Sequence, residues 1–235
     1  MKQRTIYYSD ELNDEFAGDK ITAKKIDKNY QYERNPFLKF FLYRIIATPL
    51  AYLYLKIKFH HKIINKYILK KYKKEGYFLY GNHTQQIGDA VIPTMITSPK
   101  DAYVIVHPNN VSMPFLGKYT PYLGALPLPD DLDSSRNFVK TIEKSIQRQA
   151  IVIYPEAHIW PYYTKIRPFS DKSFHYPIKY HKPVFCFVNT YKKRKNNKVD
   201  IVTYIKGPFY PNQDLSIIDQ RKQLRDEVYQ AMNNL

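Results

Sequence analysis

From Gly76 onward, short apolar runs alternate with longer stretches in which apolar residues return every three or four positions. The runs at 77–81, 102–106, 125–128, 150–154, 183–189 and 199–206 predict strands. The intervening stretches predict helices at 89–97, 113–121, 132–149, 171–181 and 216–233. In 132–149, Leu132, Phe138, Val139, Ile142 and Ile146 fall close to one stripe, with Asp133 or Ser134 placed to cap the start. In the last stretch, Leu215, Ile218, Leu224, Val228 and Met232 leave a charged face outward. This alternation predicts an α/β fold, a mixed sheet flanked by helices.

Upstream the pattern changes, and the chain is divided into an N-terminal part, 1–75, and an α/β domain, 76–235. Residues 1–35 carry charge throughout and lack the apolar core of a secretory signal. Pro36 to Lys56 is mostly apolar, and Pro36 suits a helix's first turn. Its longest uncharged stretch, Ile45 to Leu55, has eleven residues, against the ~20 a membrane span requires, and contains Pro49. The expectation is one or two amphipathic helices lying in a membrane interface; packing on the protein's own core is the alternative. Lys56 to Lys74, with eight Lys and two His among aliphatics and tyrosines, reads as a basic amphipathic stretch for anionic lipid, or as a solvated helix face.

Charge sharpens the choice of partner. The 235 residues carry a net charge of +16, favouring anionic partners: membrane surfaces, nucleic acid or an acidic carrier protein. Aromatic residues make up 16% of the chain, which suits a membrane interface or single-stranded nucleic acid. The single cysteine, Cys186, lies in an apolar run, so neither a disulfide framework nor a thiolate metal site is available, and a buried, inert thiol in a reducing cytoplasm is expected. Seven glycines and no glycine-rich phosphate loop disfavour a dinucleotide or P-loop fold.

Candidate chemistry gathers at two strand ends. The run Tyr77–Tyr80 leads into Gly81-Asn82-His83, with Asp89 six residues after the histidine. Open α/β sheets keep their sites at the carboxyl ends of strands. A carboxylate at Asp89 would hold the His83 imidazole in one tautomer and leave it a general base; a helix cap or turn is the plainer role. A second run, Ile151–Tyr154, ends in Pro155-Glu156-Ala157-His158. Two strands ending in titratable residues suggest one shared site at one sheet edge.

With both turns in view, residues 40 to 208 resemble the glycerolipid acyltransferase family, typified by 1-acylglycerol-3-phosphate acyltransferases. The first family block is Asn-His and a following Asp; here Asn82-His83 precedes Asp89 with five residues between, one more than the family pattern. The second, which ends in Gly-x-x-Phe-x-x-Arg, corresponds to Gly124–Asp130 and lacks the arginine. The third, Phe-Pro-Glu-Gly-Thr-Arg, corresponds to Tyr154-Pro155-Glu156-Ala157-His158-Ile159, keeping only Pro-Glu. Lys165–Phe169 resembles the segment leading to the fourth, here Pro183–Val188.

The resemblance implies transfer of an acyl group from acyl-CoA or acyl carrier protein to a hydroxyl, such as that of a lysophospholipid, with no cofactor or metal. His83 would be the base, Asp89 its orienting partner, and backbone N–H groups near the turns the oxyanion donors. Asn82 and His158 are expected around the substrate, and Glu156 is expected there too, to position the acceptor or to brace the His83 loop. Lys118, Arg136, Lys165 or Arg167 would replace the missing phosphate-gripping arginines. The expected location is the cytoplasmic face of the cell membrane, peripheral or monotopic, with no nucleic-acid partner. Two rivals stand beside this reading. One is a metal-dependent hydrolase with His83, Asp89, Glu156 and His158 as ligands. The other is a non-catalytic membrane or nucleic-acid binding module.

Overall fold

The computed structural model describes residues 6–16, 21–195 and 198–235. Seven strands form one sheet: β1 (Lys62–Ile64), β2 (Tyr77–Gly81), β3 (Ala102–Val106), β4 (Ala125–Pro127), β5 (Ala150–Ile153), β6 (Val184–Lys193) and β7 (Val199–Phe209). Their order is β1-β7-β6-β2-β5-β3-β4. Every neighbouring pair is parallel except β6–β7, so the sheet is mixed. The central strand β2 is buried at all five positions, because β5 and β6 flank it and helices cover both faces. Buried parallel strands read as continuous apolar runs for this reason.

The period-two geometry of the strands divides the core. Phe78 and Tyr80 of β2 pack with Ile151, Ile153, Val184 and Cys186 against α5 (Leu132–Ser145), α6 (His175–Tyr180) and α7 (Ile217–Asn233). Tyr77 and Leu79 point the other way, with Val152, Phe185 and Phe187, onto α2 (Thr48–Phe59) and α3 (Gly88–Thr97). Helix α5 starts on a reciprocal cap in which Asp131 and Ser134 bond each other's backbone N–H. Burial pushes the Cys186 thiol up to about 12, in keeping with an inert core cysteine.

Helix α1 (Pro36–Phe40) and α2 are joined by a π-helical turn, Phe41–Ala47, into one rod spanning Pro36–Phe59. Pro49 does not break it. The widened turn absorbs the proline, and the Thr48 hydroxyl donates to Tyr43 O at 2.7 Å. By length and composition the 24-residue rod is apolar enough to cross a membrane. One stripe of it packs on the domain, while most of its apolar window is not buried. Tyr43, Ala51, Leu55 and Phe59 bury one stripe, while Lys39 and Arg44 pair with Asp101. Phe37, Phe40, Leu50, Leu53 and Ile57 remain exposed.

Two segments differ from expectation. The stretch 113–121 is not a helix: α4 (Asn109–Ser112) precedes it, a 3-10 turn covers Thr120–Leu123, and Pro114, Gly117 and a left-handed Phe115 (φ 59°) prevent regular helix between. The basic stretch Lys56–Lys74 is not one amphipathic helix either. Left-handed backbone at His60 and Asn65 divides it into the end of α2, strand β1 and a 3-10 segment, Lys66–Tyr72. β1 pairs with β7, so the sheet takes its first strand from within residues 1–75. The arm is partly anchored: Ile26 and Tyr32 enter the core, and Trp160 Nε1 donates to Asp14 O at 2.8 Å, with the rings of Tyr8 and Phe16 against the indole.

Candidate active site

The β2–β5 register, Tyr80 opposite Ile153, brings the Asn82-His83 turn and the Tyr154-Pro155-Glu156 turn to the same carboxyl edge of the sheet. Gly81 is required where β2 meets β6, since a Cβ there would lie 2.2 Å from the Phe187 ring. Beyond it the chain turns, and α3 begins at Gly88 with Asp89 in its first turn.

His83 Nδ1 lies 2.9 Å from Asp89 Oδ2. The extra residue between them is taken up by the turn before α3, where Gln85 N donates to the same carboxylate oxygen at 2.8 Å and Asp89 N to Gln85 O. Asn189 Nδ2 approaches Asp89 Oδ1 at 3.4 Å. Burial pushes the Asp89 carboxyl above its usual range, opposed by His83 and by the backbone donors of Gln85 and Thr84. A carboxylate at Nδ1 fixes the ring proton there and leaves Nε2 with its lone pair. The imidazole, 18% exposed, stacks on Tyr154 with centroids 4.4 Å apart, and the Tyr154 hydroxyl donates to Asp89 O at 2.6 Å. One side chain thus holds both the ring plane and the first turn of α3.

Glu156 sits beneath the histidine turn. Its Oε2 accepts from His83 N at 3.2 Å and from Arg167 Nη2 at 3.2 Å, and its Oε1 from Arg167 N at 3.2 Å. Both side chains of this ion pair are wholly buried. Burial raises Glu156 above the ordinary carboxylate range, and the Arg167 guanidinium pulls it back. Arg167 also donates to His158 O and lies against Trp160, with 4.5 Å from its guanidinium carbon to the ring centroid. Trp160 N and Tyr162 N donate to His83 O and Thr84 O at 3.0 and 2.9 Å, fastening the second loop to the first. Ala157 takes the left-handed conformation (φ 64°) at the position where the family block has glycine.

Among the other expected site residues, Asn82 faces β6, donating to Asn189 O at 3.1 Å and accepting from Asn189 N at 2.8 Å. It holds the turn in place. His158 is directed toward Glu15, at 4.0 Å. Arg167 is committed to Glu156, so it does not present a free guanidinium to an acceptor phosphate. Arg136, its side chain 81% exposed, pairs along α5 with Asp133 at 3.8 Å. Lys118 and Lys165 are exposed, with Lys118 Nζ 4.9 Å from the centre of the Tyr119 ring. The set His83, Asp89, Glu156 and His158 does not converge as metal ligands, because Glu156 is spent on Arg167 and His83 N–H and His158 turns away. Among the described residues no group of three His, Cys, Asp or Glu is placed to hold a metal ion.

Four contributors escape sequence reading: Tyr154, Asn189, Thr203 and His61. Thr203 Oγ1 donates to Asn189 Oδ1 at 2.7 Å and meets His61 Nε2 at 2.8 Å. Tyr154 carried a signal, as the aromatic immediately before Pro155-Glu156, and Asn189 another, as the polar residue ending the Pro183–Val188 run. Thr203 and His61 carried none without the strand register.

No family model matches the chain, and no curated protein does. Its fold is similar to the crystal structure of the 1-acyl-sn-glycerophosphate (LPA) acyltransferase PlsC from Thermotoga maritima. The TM-score is 0.55, with 80% of this chain and 76% of that chain covered at 15% sequence identity. At that identity the likeness is one of fold.

Proposed function

We propose that the protein is an acyltransferase that moves a fatty acyl group from a thioester, acyl-CoA or acyl carrier protein, to a lipid hydroxyl such as that of a lysophospholipid. The observation that carries this reading is the His83–Asp89 pair at the carboxyl end of the central strand, in a fold shared with an LPA acyltransferase. A hydroxyl is a weak nucleophile at neutral pH. His83 Nε2 takes its proton as oxygen attacks the thioester carbonyl, and Asp89 stabilises the imidazolium that forms. Backbone N–H groups at the two turns receive the oxyanion. The tetrahedral intermediate collapses with loss of the thiolate, to which the imidazolium returns the proton. No covalent enzyme intermediate is required.

Glu156 and Arg167 act by holding the His83 turn rather than by gripping substrate. Lys118, Arg136 and Lys165 remain the solvent-facing cations for an acceptor phosphate. The exposed apolar face of the rod, with Lys56 and Lys58 at its end, suits a peripheral or monotopic seat on anionic lipid at the cytoplasmic membrane face. The test is to incubate the protein with labelled acyl-CoA or acyl carrier protein and a panel of lysophospholipids and other lipid alcohols, with and without chelator. A chelator-indifferent acylated product supports the reading and names donor and acceptor.

A further inference from the structure

A concavity lies at the end of the central strand opposite His83. β2 enters at Tyr77 and leaves at Gly81 toward the histidine, so five residues of strand, about 17 Å, separate the two places. Residues of the 63–73 segment and of the 96–100 loop enclose a cleft of about 470 Å³. Four lysines line it, Lys66, Lys70, Lys73 and Lys100, and no carboxylate among the described residues does so. Outside the lining, the exposed Glu75 acts on Lys100, raising it electrostatically.

The two inner lysines are only partly satisfied. Lys66 Nζ donates to Met95 O at 2.6 Å, and Lys100 Nζ to Arg148 O. An ammonium carries three donors, so each has capacity to spare. Burial lowers both from the ordinary lysine range. Lys70 and Lys73 are exposed. Gathering four like charges around a concave wall is unfavourable unless an anion joins them. Beside the polar Asn65, Thr97 and Ser98, the lining has an apolar and aromatic part: Ile63, Leu69, Ile96 and Pro99, with Tyr67, 65% exposed. One wall is tied to the rod, whose Arg44 donates to Pro99 O.

We propose that this cleft binds a phosphate ester, its phosphate held by Lys66, Lys70, Lys73 and Lys100 and its carbon skeleton against the apolar wall. Lysine ammonium groups bind phosphate as point charges, without the bidentate geometry that arginine imposes. The ester has two sources: a free phosphate ester, or the headgroup of a phospholipid beneath the rod. The site is separate from His83 and stands whether or not the chain transfers acyl groups.

The experiment compares the wild-type protein with Lys70→Gln/Lys73→Gln and with a control of equal charge, Lys192→Gln/Lys193→Gln, whose exposed lysines lie outside the cleft. Glycerol 3-phosphate is titrated by calorimetry, and phosphatidylglycerol vesicles are sedimented with each protein. Thermal melts check that all three fold. The expected result is weakening of at least about tenfold in the cleft variant, the equivalent of one charge-assisted hydrogen bond, and under about twofold in the control. If the selective loss appears with glycerol 3-phosphate, the free ester suffices. If it appears with vesicles alone, the ligand is a membrane headgroup. Equal losses in the two variants, binding unaffected by the cleft substitutions, or no binding of either probe would overturn the proposal.

Discussion

His83 Nδ1 and Asp89 Oδ2 are 2.9 Å apart although they belong to different elements, a turn and the first turn of a helix. The contact survives an extra residue because Gln85 and Asp89 close a small ring of mutual bonds that folds the insertion back. Asp89→Asn keeps the shape of this ring but removes the charge that stabilises the imidazolium. The expected outcome is a fall in kcat of about 10²- to 10⁴-fold with little change in KM, measured by steady-state transfer.

The buried Glu156–Arg167 pair makes an asymmetric prediction. Arg167→Met leaves a buried carboxylate without its partner and should cost about 3–5 kcal/mol in denaturant unfolding. Adding Glu156→Gln should restore much of that loss. The Arg167→Met penalty should shrink as pH falls, because burial already raises Glu156 and the unpaired carboxyl then takes up a proton more readily in the folded than in the unfolded chain.

His61 gives the wild-type protein an acid-side liability. Burial, aided by Lys56, pushes it down to about 4 from its ordinary 6.5. Above 6.5 the ring is neutral in both states and contributes no slope. As pH falls from 6.5 toward 4 the unfolded chain binds a proton that the fold does not, so stability declines. His61→Gln keeps a partner for Thr203 without the titration. Its Tm should fall less steeply than wild type over that interval.

The rod predicts a surface effect separable from folding. Phe37 is 78% and Ile57 67% exposed. Phe37→Ser/Ile57→Ser should therefore leave Tm within about 1–2 °C of wild type while reducing sedimentation with anionic vesicles several-fold, about 0.8 kcal/mol being lost per CH₂ withdrawn from lipid. Unchanged sedimentation would mean that the exposed face is not the membrane contact.

Much of this site could be read in the chain because it is local. An apolar run ending in Gly81-Asn82-His83 marks a strand and its turn, and the second run marks another, so a shared edge followed from the parallel arrangement. The Glu156–Arg167 pair was hidden by an irregular loop whose path depends on Trp160 and on the N-terminal arm packed over it. That path turned an expected phosphate ligand into an internal brace. Asn189 and Thr203 reach Asp89 through the β2–β6 and β6–β7 registers, which side-chain periodicity does not encode. At 113–121 the apolar content suggests a helix, but Pro114, Gly117 and Pro121 decide against it.

The central claim is that His83 is the base for acyl transfer, and the most direct measurement is the rate of acylated-lipid formation by wild-type protein and by His83→Ala under identical donor, acceptor and lipid conditions. The account predicts a product from the wild-type protein and a loss of at least about 10²-fold in the variant, with matching thermal melts and no response to chelator. Equal rates in the two proteins would contradict it, as would a wild-type activity abolished by chelator.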